Sequence, residues 1–303
     1  MDIISEIGIA IPREFTANLN VSTKTLILAG SSIGTKGSIR PLLRKELGEY
    51  RYIQGFDVLY PEEIFNELLS RKTGTDLLKL ENMLAESAHA VIIIAESYGA
   101  IAELGAFVNS NTLRPKVVAI LDKKYRNDKG FIMLGPIAQL RNTRKEAVIF
   151  HDFKSPHPAK LAEITRRTIR AIIKDTSIDD SLSNPIRAQY FFLASIFIAE
   201  PISLNLLIKF LIATNECDSS DVSVVASTSL NILLRQKDIS MDMSGEYYIT
   251  PSGLRRLSSI IKNTKRAGQI IKLFDKYRVD ILNATLRKSK RRHSPIMAKG
   301  VLP

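Results

Sequence analysis

A chain of 303 residues with 45% hydrophobic content can bury one large core or two ordinary ones, and is too apolar for a disordered protein. No window approaches the roughly 18 to 20 uninterrupted apolar residues of a membrane span, and a single cysteine, Cys217, excludes a disulfide framework or a cysteine-held zinc. The net charge of +12 is lopsided. Residues 1–150 hold 19 Lys/Arg against 17 Asp/Glu and residues 151–303 hold 24 against 14, which points to a polyanionic partner for the second half.

The opening MDIISEIGIAIPREF lacks a basic region followed by an apolar core, so no secretory signal and no membrane association are expected, and the expected compartment is the cytosol. Residues 1–22 read as a short helix or an arm. Thr25 to Gly30 (TLILAG) has the apolar density of a buried strand, and Gly30-Ser31-Ser32-Ile33-Gly34 reads as a loop. Helix signals run over 36–49, and Phe56 to Tyr60 forms a second strand, closed by Pro61 at a helix start. A short helix over 62–69, a break at Gly74 and a longer helix over 76–87 follow. Val91 to Ala95 is the central strand. It stops at the polar turn Glu96-Ser97-Tyr98-Gly99, and the next helix carries Glu103 in its first turn or two. Strands at 116–121 and 147–150 complete the alternation. The pattern predicts an α/β fold, a three-layer αβα sandwich around a parallel sheet.

Two carboxylates stand out. Glu81 falls inside the apolar arc of its helix, near Leu77 and Leu84, where an unpaired charge is costly. Glu103 lies just past the carboxyl end of a parallel strand, where open α/β sheets place their ligands. At a helix start the positive dipole end would hold it ionised. The loop 30–34 is neither GxGxxG nor a P-loop, although backbone N–H groups of Ser31 and Ser32 are candidates for a phosphate. Tyr98 is placed to stack on a base and Tyr60 to border the pocket. His89, His151, His157 and His293 show no ligand spacing, so no metal site and no cofactor are expected.

Pro156-His157-Pro158 marks a boundary, and the helix over 160–174 carries Arg166, Arg167, Arg170 and Lys174. After a linker at 179–185 come helical patterns over 186–199, 202–214 and 219–236, a hairpin over 239–249 with Ser-Gly at its tip, and a Thr-Pro-x-Gly helix start at Thr250. This order resembles a winged helix-turn-helix. Its third helix is serine-rich, with positive charge only at Arg235 and Lys237, so base readout is weakly supported. Residues 254–303 instead hold 14 Lys/Arg against 2 acids and end in Arg287, Lys288, Lys290, Arg291 and Arg292, a pattern for phosphate contact without sequence choice. The expected divisions are a first domain over 1–155, a basic helix and linker over 156–185, a winged helix-like domain over 186–285 and a basic tail over 286–303.

The order of the N-terminal pieces resembles the nucleoside 2-deoxyribosyltransferase-like family of N-glycosidases. A glycine-containing loop follows the first strand, an acid-bearing helix precedes the central strand, and Ala102-Glu103-Leu104-Gly105-Ala106 matches the family's small-Glu-hydrophobic-Gly segment. The resemblance implies Glu103 as nucleophile and Glu81 as an acid contacting sugar or base. It also implies Gly30, Ser31, Ser32, Tyr60, Glu96, Ser97, Tyr98 and Gly99 around the substrate. The family usually has aspartate where this chain has Glu96-Ser97, which leaves base specificity open. The strings DVLYPEEIFNELL, LLKLENMLAE, ESYGAIAELGAFVNSNTLRPK and FIMLGPIAQLR are similar to those of retron anti-phage effectors. That likeness implies a nucleotide substrate, NAD⁺ first and deoxynucleotides second. It also implies a reverse transcriptase with its RNA–DNA hybrid (msDNA) as partner, and a homo-oligomer or filament. Two other readings stand beside it: a non-enzymatic nucleotide-sensing DNA-binding regulator, and a salvage deoxyribosyltransferase.

Overall fold

The computed structural model describes residues 3–19, 24–48, 56–64, 77–155, 158–217 and 221–289, the side chains of 3–5, 77–80 and 284–289 excepted. Several expectations therefore lie outside the described residues: the helix over 65–69, the break at Gly74, the Pro156-His157 boundary, and Lys290, Arg291 and Arg292. The chain divides into two units, one of residues 22–179 and one of residues 1–21 with 180–303.

In the first unit, strands β1 (Lys24–Ala29), β2 (Phe56–Leu59), β3 (Ala90–Ile94), β4 (Val117–Asp122) and β5 (Val148–His151) pair in the order β2-β1-β3-β4-β5, all parallel. Every residue of β3 is buried, as a strand covered on both faces requires. Helices α2 (Arg40–Gly48), α3 (Leu77–Ser87), α4 (Tyr98–Asn109), α5 (Ala138–Thr143) and α6 (Pro158–Asp175) flank the sheet. Leu26, Leu28, Ile92, Ile94, Val118 and Ile120 share one core with Leu43 and Leu47 of α2 and with Leu161, Ile169 and Ile172 of α6. The alternate strand residues face the other way, where α4 packs on β3 and β4.

Two boundaries differ from expectation. Gly34 and Gly37 take φ of +88° and +80°, so the chain turns through 31–39 and α2 begins only at Arg40, with Pro41 behind it. The helix expected as a linker belongs to this unit, because its stripe Leu161, Thr165, Ile169 and Ile172 is buried on the sheet. The first unit thus ends near 179 rather than at 155. The stretch Met133–Ile137, a π-helical turn running into α5, has no counterpart in the sequence reading, because Gly130, Gly135 and Pro136 interrupt the apolar period.

In the second unit, α7 (Pro185–Ala199) is buried almost all round, as a central helix is. Around it lie α8 (Leu204–Ala213), α9 (Val222–Arg235), α10 (Pro251–Lys262) and α11 (Ala267–Ser289), with a three-stranded antiparallel sheet of β6 (Ile202–Ser203), β8 (Glu246–Ile249) and β7 (Ile239–Met241) in that order. The expected hairpin is present, and Gly245 takes φ of +81° at its tip. Asp242 secures the turn by accepting from the N–H groups of Ser244 (2.9 Å) and Glu246 (3.0 Å).

The first residues also belong here, contrary to the expected domain over 1–155. Helix α1 (Ile3–Ala10) and the turns that follow it bury Ile7, Ile11 and Phe15, and the Phe15 ring meets Phe274 of α11 edge-on at 5.4 Å. A Cβ on Gly8 would stand 2.7 Å from both the Phe210 carbonyl oxygen and the Ala213 Cβ, so α1 and α8 cross nearly backbone to backbone. Only tertiary packing assigns such a segment to a partner 180 residues away in sequence.

Candidate active site

The strand order reverses between β1 and β3, so the segments leaving those strands diverge over the carboxyl edge of the sheet, where α/β proteins bind ligands. Glu96 leaves β3 and ties this region together. Its Oε1 accepts from the Ser31 N–H (3.3 Å), the Ser31 hydroxyl (2.8 Å) and the Ser38 hydroxyl (2.5 Å), and its Oε2 from the Ile39 N–H (3.3 Å). Ser97 caps α4 by accepting from the Ala100 N–H at 3.2 Å, and donates to the Gly30 carbonyl at 3.3 Å. A Cβ on Gly30 would lie 3.0 Å from Arg40 Cδ and 3.2 Å from Glu96 Oε1, which is why a residue without one stands there.

These bonds revise two expectations. The Ser31 N–H is spent on Glu96 and is not free for a phosphate, and the Glu96 carboxylate is committed to shaping the loop. Ser32, Gly99 and Tyr98 are exposed, Tyr98 to 93%, so its ring stands at the rim rather than inside.

The residue the sequence reading missed is Arg40. It is buried, donates to the Leu28 carbonyl from Nε (3.0 Å) and Nη2 (2.6 Å) and to the Ser31 carbonyl from Nη1 (2.7 Å), and forms a two-pronged ion pair with Glu62. One turn on, Arg44 pairs in the same way with Glu63 (2.7 and 2.9 Å), and both guanidiniums lie 4.1 Å from the Tyr60 ring centre. Tyr60 therefore borders a cavity of about 240 Å³ that Ser31, Ser32, Ser38 and Arg44 also line. Glu81 and Glu103 do not line it. The signal in the sequence was the i, i+4 pair Arg40/Arg44 beside Tyr60-Pro61-Glu62-Glu63.

Glu103 sits in the second turn of α4 and is half-buried, as is Glu81 on α3. Burial pushes the Glu103 carboxyl up to about 7; the neighbouring Glu81 and Glu62 add to the rise and Arg40 opposes it. Burial, with Glu62 behind it, also raises Glu81. The expectation that the helix dipole holds Glu103 ionised is thus corrected: the residue lies beyond the first turn, where the dipole acts, and desolvation prevails. Two half-buried carboxyl groups raised together can hold a proton between them at neutral pH. Among the described residues no group of three His, Cys, Asp or Glu is placed to hold a metal ion, and no helix is long and apolar enough to cross a membrane.

A family model described as the STM3845 retron effector protein matches residues 36–241, from the loop before α2 to the end of β7. The chain belongs to the retron effector family. A relative in Escherichia coli, the retron Ec86 protein whose name proposes a ribosyltransferase and DNA-binding role, is 25% identical over 284 residues, 90% of this chain and 87% of its own. The corresponding retron Ec73 protein of Escherichia coli, named in the same way, is 29% identical over 178 residues, 52% of this chain and 56% of its own. The match takes in Arg40, Glu62, Glu81, Glu96 and Glu103 of this retron effector, and most of its second unit. In that unit α9, the helix expected to read bases, buries Val225, Thr228, Ser229, Leu230, Asn231 and Leu233 and exposes Arg235. It is a core helix first. Arg287 and Lys288 fall on the last turn of α11, which carries the helix past the expected tail boundary at 286.

Proposed function

We propose that this retron effector is an N-glycosidase of the nucleoside deoxyribosyltransferase-like kind, with Glu103 as nucleophile. The observation that carries the reading is the pair of half-buried carboxyls, Glu103 and Glu81, raised together at the carboxyl end of the central strand. In the first step the ionised Glu103 oxygen bonds to C1′ as the C1′–N bond breaks, and the bonding pair leaves with the base. Glu81, carrying the shared proton, supplies it to the departing base. Water then attacks C1′, regenerating the Glu103 carboxylate and returning a proton to the pair. Arg40 and Glu96 act through position, holding Tyr60 and the loop 30–39 in place.

The substrate this reading favours is NAD⁺, with deoxynucleotides second. Its partner is the retron reverse transcriptase with its msDNA, which controls the enzyme in anti-phage defence. The second unit, with helices α7 to α9, the β7–β8 hairpin and α10, fits a winged helix-like module that holds this complex, assisted by the basic tail from Arg287 to Arg292. Assembly into a homo-oligomer or filament belongs to the same reading. The non-enzymatic regulator is disfavoured by the burial of α9, which leaves few side chains for base edges.

The decisive experiment incubates wild type and Glu103→Gln, with and without the reverse transcriptase complex, with NAD⁺ and a deoxynucleotide panel, and quantifies free base by chromatography. Base release by wild type is expected to fall at least a thousandfold in the variant. Equal turnover by both would remove Glu103 from the mechanism.

A further inference from the structure

The free edge of the first unit's sheet carries a feature that the active site does not use. Strand β5 pairs with β4 alone, and its outer side meets α6 in a groove of about 520 Å³ lined by Arg144, Phe150, Arg167 and Thr168 among others. The half-buried Phe150 ring has two guanidiniums over it, Arg141 at 5.3 Å and Arg126 at 5.5 Å from its centre. Arg170 stands one turn beyond Arg167 on the exposed side of α6. The acids of this surface are Glu146 and Asp175, and Asp175 is already paired with Arg144 at 2.5 Å. Arg126, Arg141, Arg167 and Arg170 are exposed, and no described carboxylate forms an ion pair with them.

Repelling cations gathered at one edge gain most from an anion that meets several of them at once. Arginines held against an aromatic ring also present flat guanidinium faces, on which nucleobases stack. A backbone-tracking basic groove beside a stacking platform is the general arrangement of a single-strand nucleic-acid site. We propose that this β5–α6 groove binds a single-stranded nucleic acid, with Arg141, Arg167 and Arg170 on phosphates and the Arg–Phe150 stack under a base. The surface lies in the α/β unit, apart from the winged helix-like unit and the basic tail. It stands whether or not Glu103 cleaves a glycosidic bond.

The test follows binding of the full chain to a labelled mixed-sequence DNA single strand by fluorescence anisotropy across a salt titration. The variant Arg141→Gln/Arg167→Gln/Arg170→Gln is expected to bind about tenfold more weakly and to lose about 2 from the logarithmic salt slope, near 0.7 per phosphate contact. The matching Arg→Lys variant keeps the slope and loses only the stacking contribution. Phe150→Leu is expected to weaken DNA binding roughly threefold, as a partly lost base stack would, and to leave thermal unfolding unchanged. Unchanged affinity and slope in the Gln variant would overturn the proposal. So would equal, groove-dependent binding of poly-glutamate that Phe150→Leu leaves intact, since the surface would then be a dock for acidic protein.

Discussion

At the residue scale the site is governed by desolvation. Glu103 has an ordinary value near 4.5 and is raised to about 7 in the folded chain. Between those values the folded chain binds more protons than the unfolded one, so this group's stabilising contribution is present below about 4.5 and is lost as pH rises through 7. After discounting for the exposed part of the side chain, the loss is on the order of 2 kcal/mol. Glu103→Gln, uncharged at every pH, is therefore expected to unfold several degrees above wild type at pH 8 and close to it at pH 4.5, by thermal melts followed at both. A gap that did not grow with pH would show Glu103 to be solvated. If Glu103 is the nucleophile, activity of the wild type rises through pH 7 over the same titration. Glu96 shows the opposite case: four donors surround its carboxylate, and it serves the loop.

At the element scale, close approach decides which residues are replaceable. The start of α10 shows this. Thr250 accepts from the Gly253 N–H at 3.1 Å as an N-cap, and Pro251 opens the helix. A Cβ on Gly253 would stand 2.0 Å from the Asp238 carbonyl oxygen, which is backbone and cannot yield without moving the strand entrance. Gly253→Ala is expected to cost about 3 kcal/mol, measured by denaturant unfolding of the second unit, although alanine is the better helix former. A neutral result would mean that α10 sits further from the hairpin. The Thr-Pro-Ser-Gly string announced a helix start, but the need for glycine came from Asp238, 15 residues away.

At the scale of the whole molecule, chain order and unit membership part company. Residues 1–21 precede the parallel sheet in sequence and fold with residues 180–303. Ile7, Ile11 and Phe15 are fully buried there, each contributing roughly 2 kcal/mol by burial. Removing residues 1–21 is expected to lower the unfolding midpoint of the second unit, or abolish its transition, while the transition of the first unit stays put, as calorimetry would resolve. Loss of the first unit's transition instead would place the segment with the sheet.

Much of this was written locally. Apolar runs of strand length alternating with helical periods determined the parallel α/β unit, because both faces of such a sheet must be covered. The hairpin, with its Ser-Gly tip, and the helix starts were equally legible from turn and cap chemistry. The blocks around Tyr60, Glu81 and Glu103 pointed to a retron effector, which the family match over residues 36–241 supports. What the tertiary structure decided depends on groups distant in sequence: Arg40 clasping Glu62 under Tyr60, Glu96 spending its charge on Ser31 and Ser38, α1 crossing α8 at Gly8, and the proton retained by Glu103. Desolvation and proximity are properties of the folded surroundings, and no local pattern of residues encodes them.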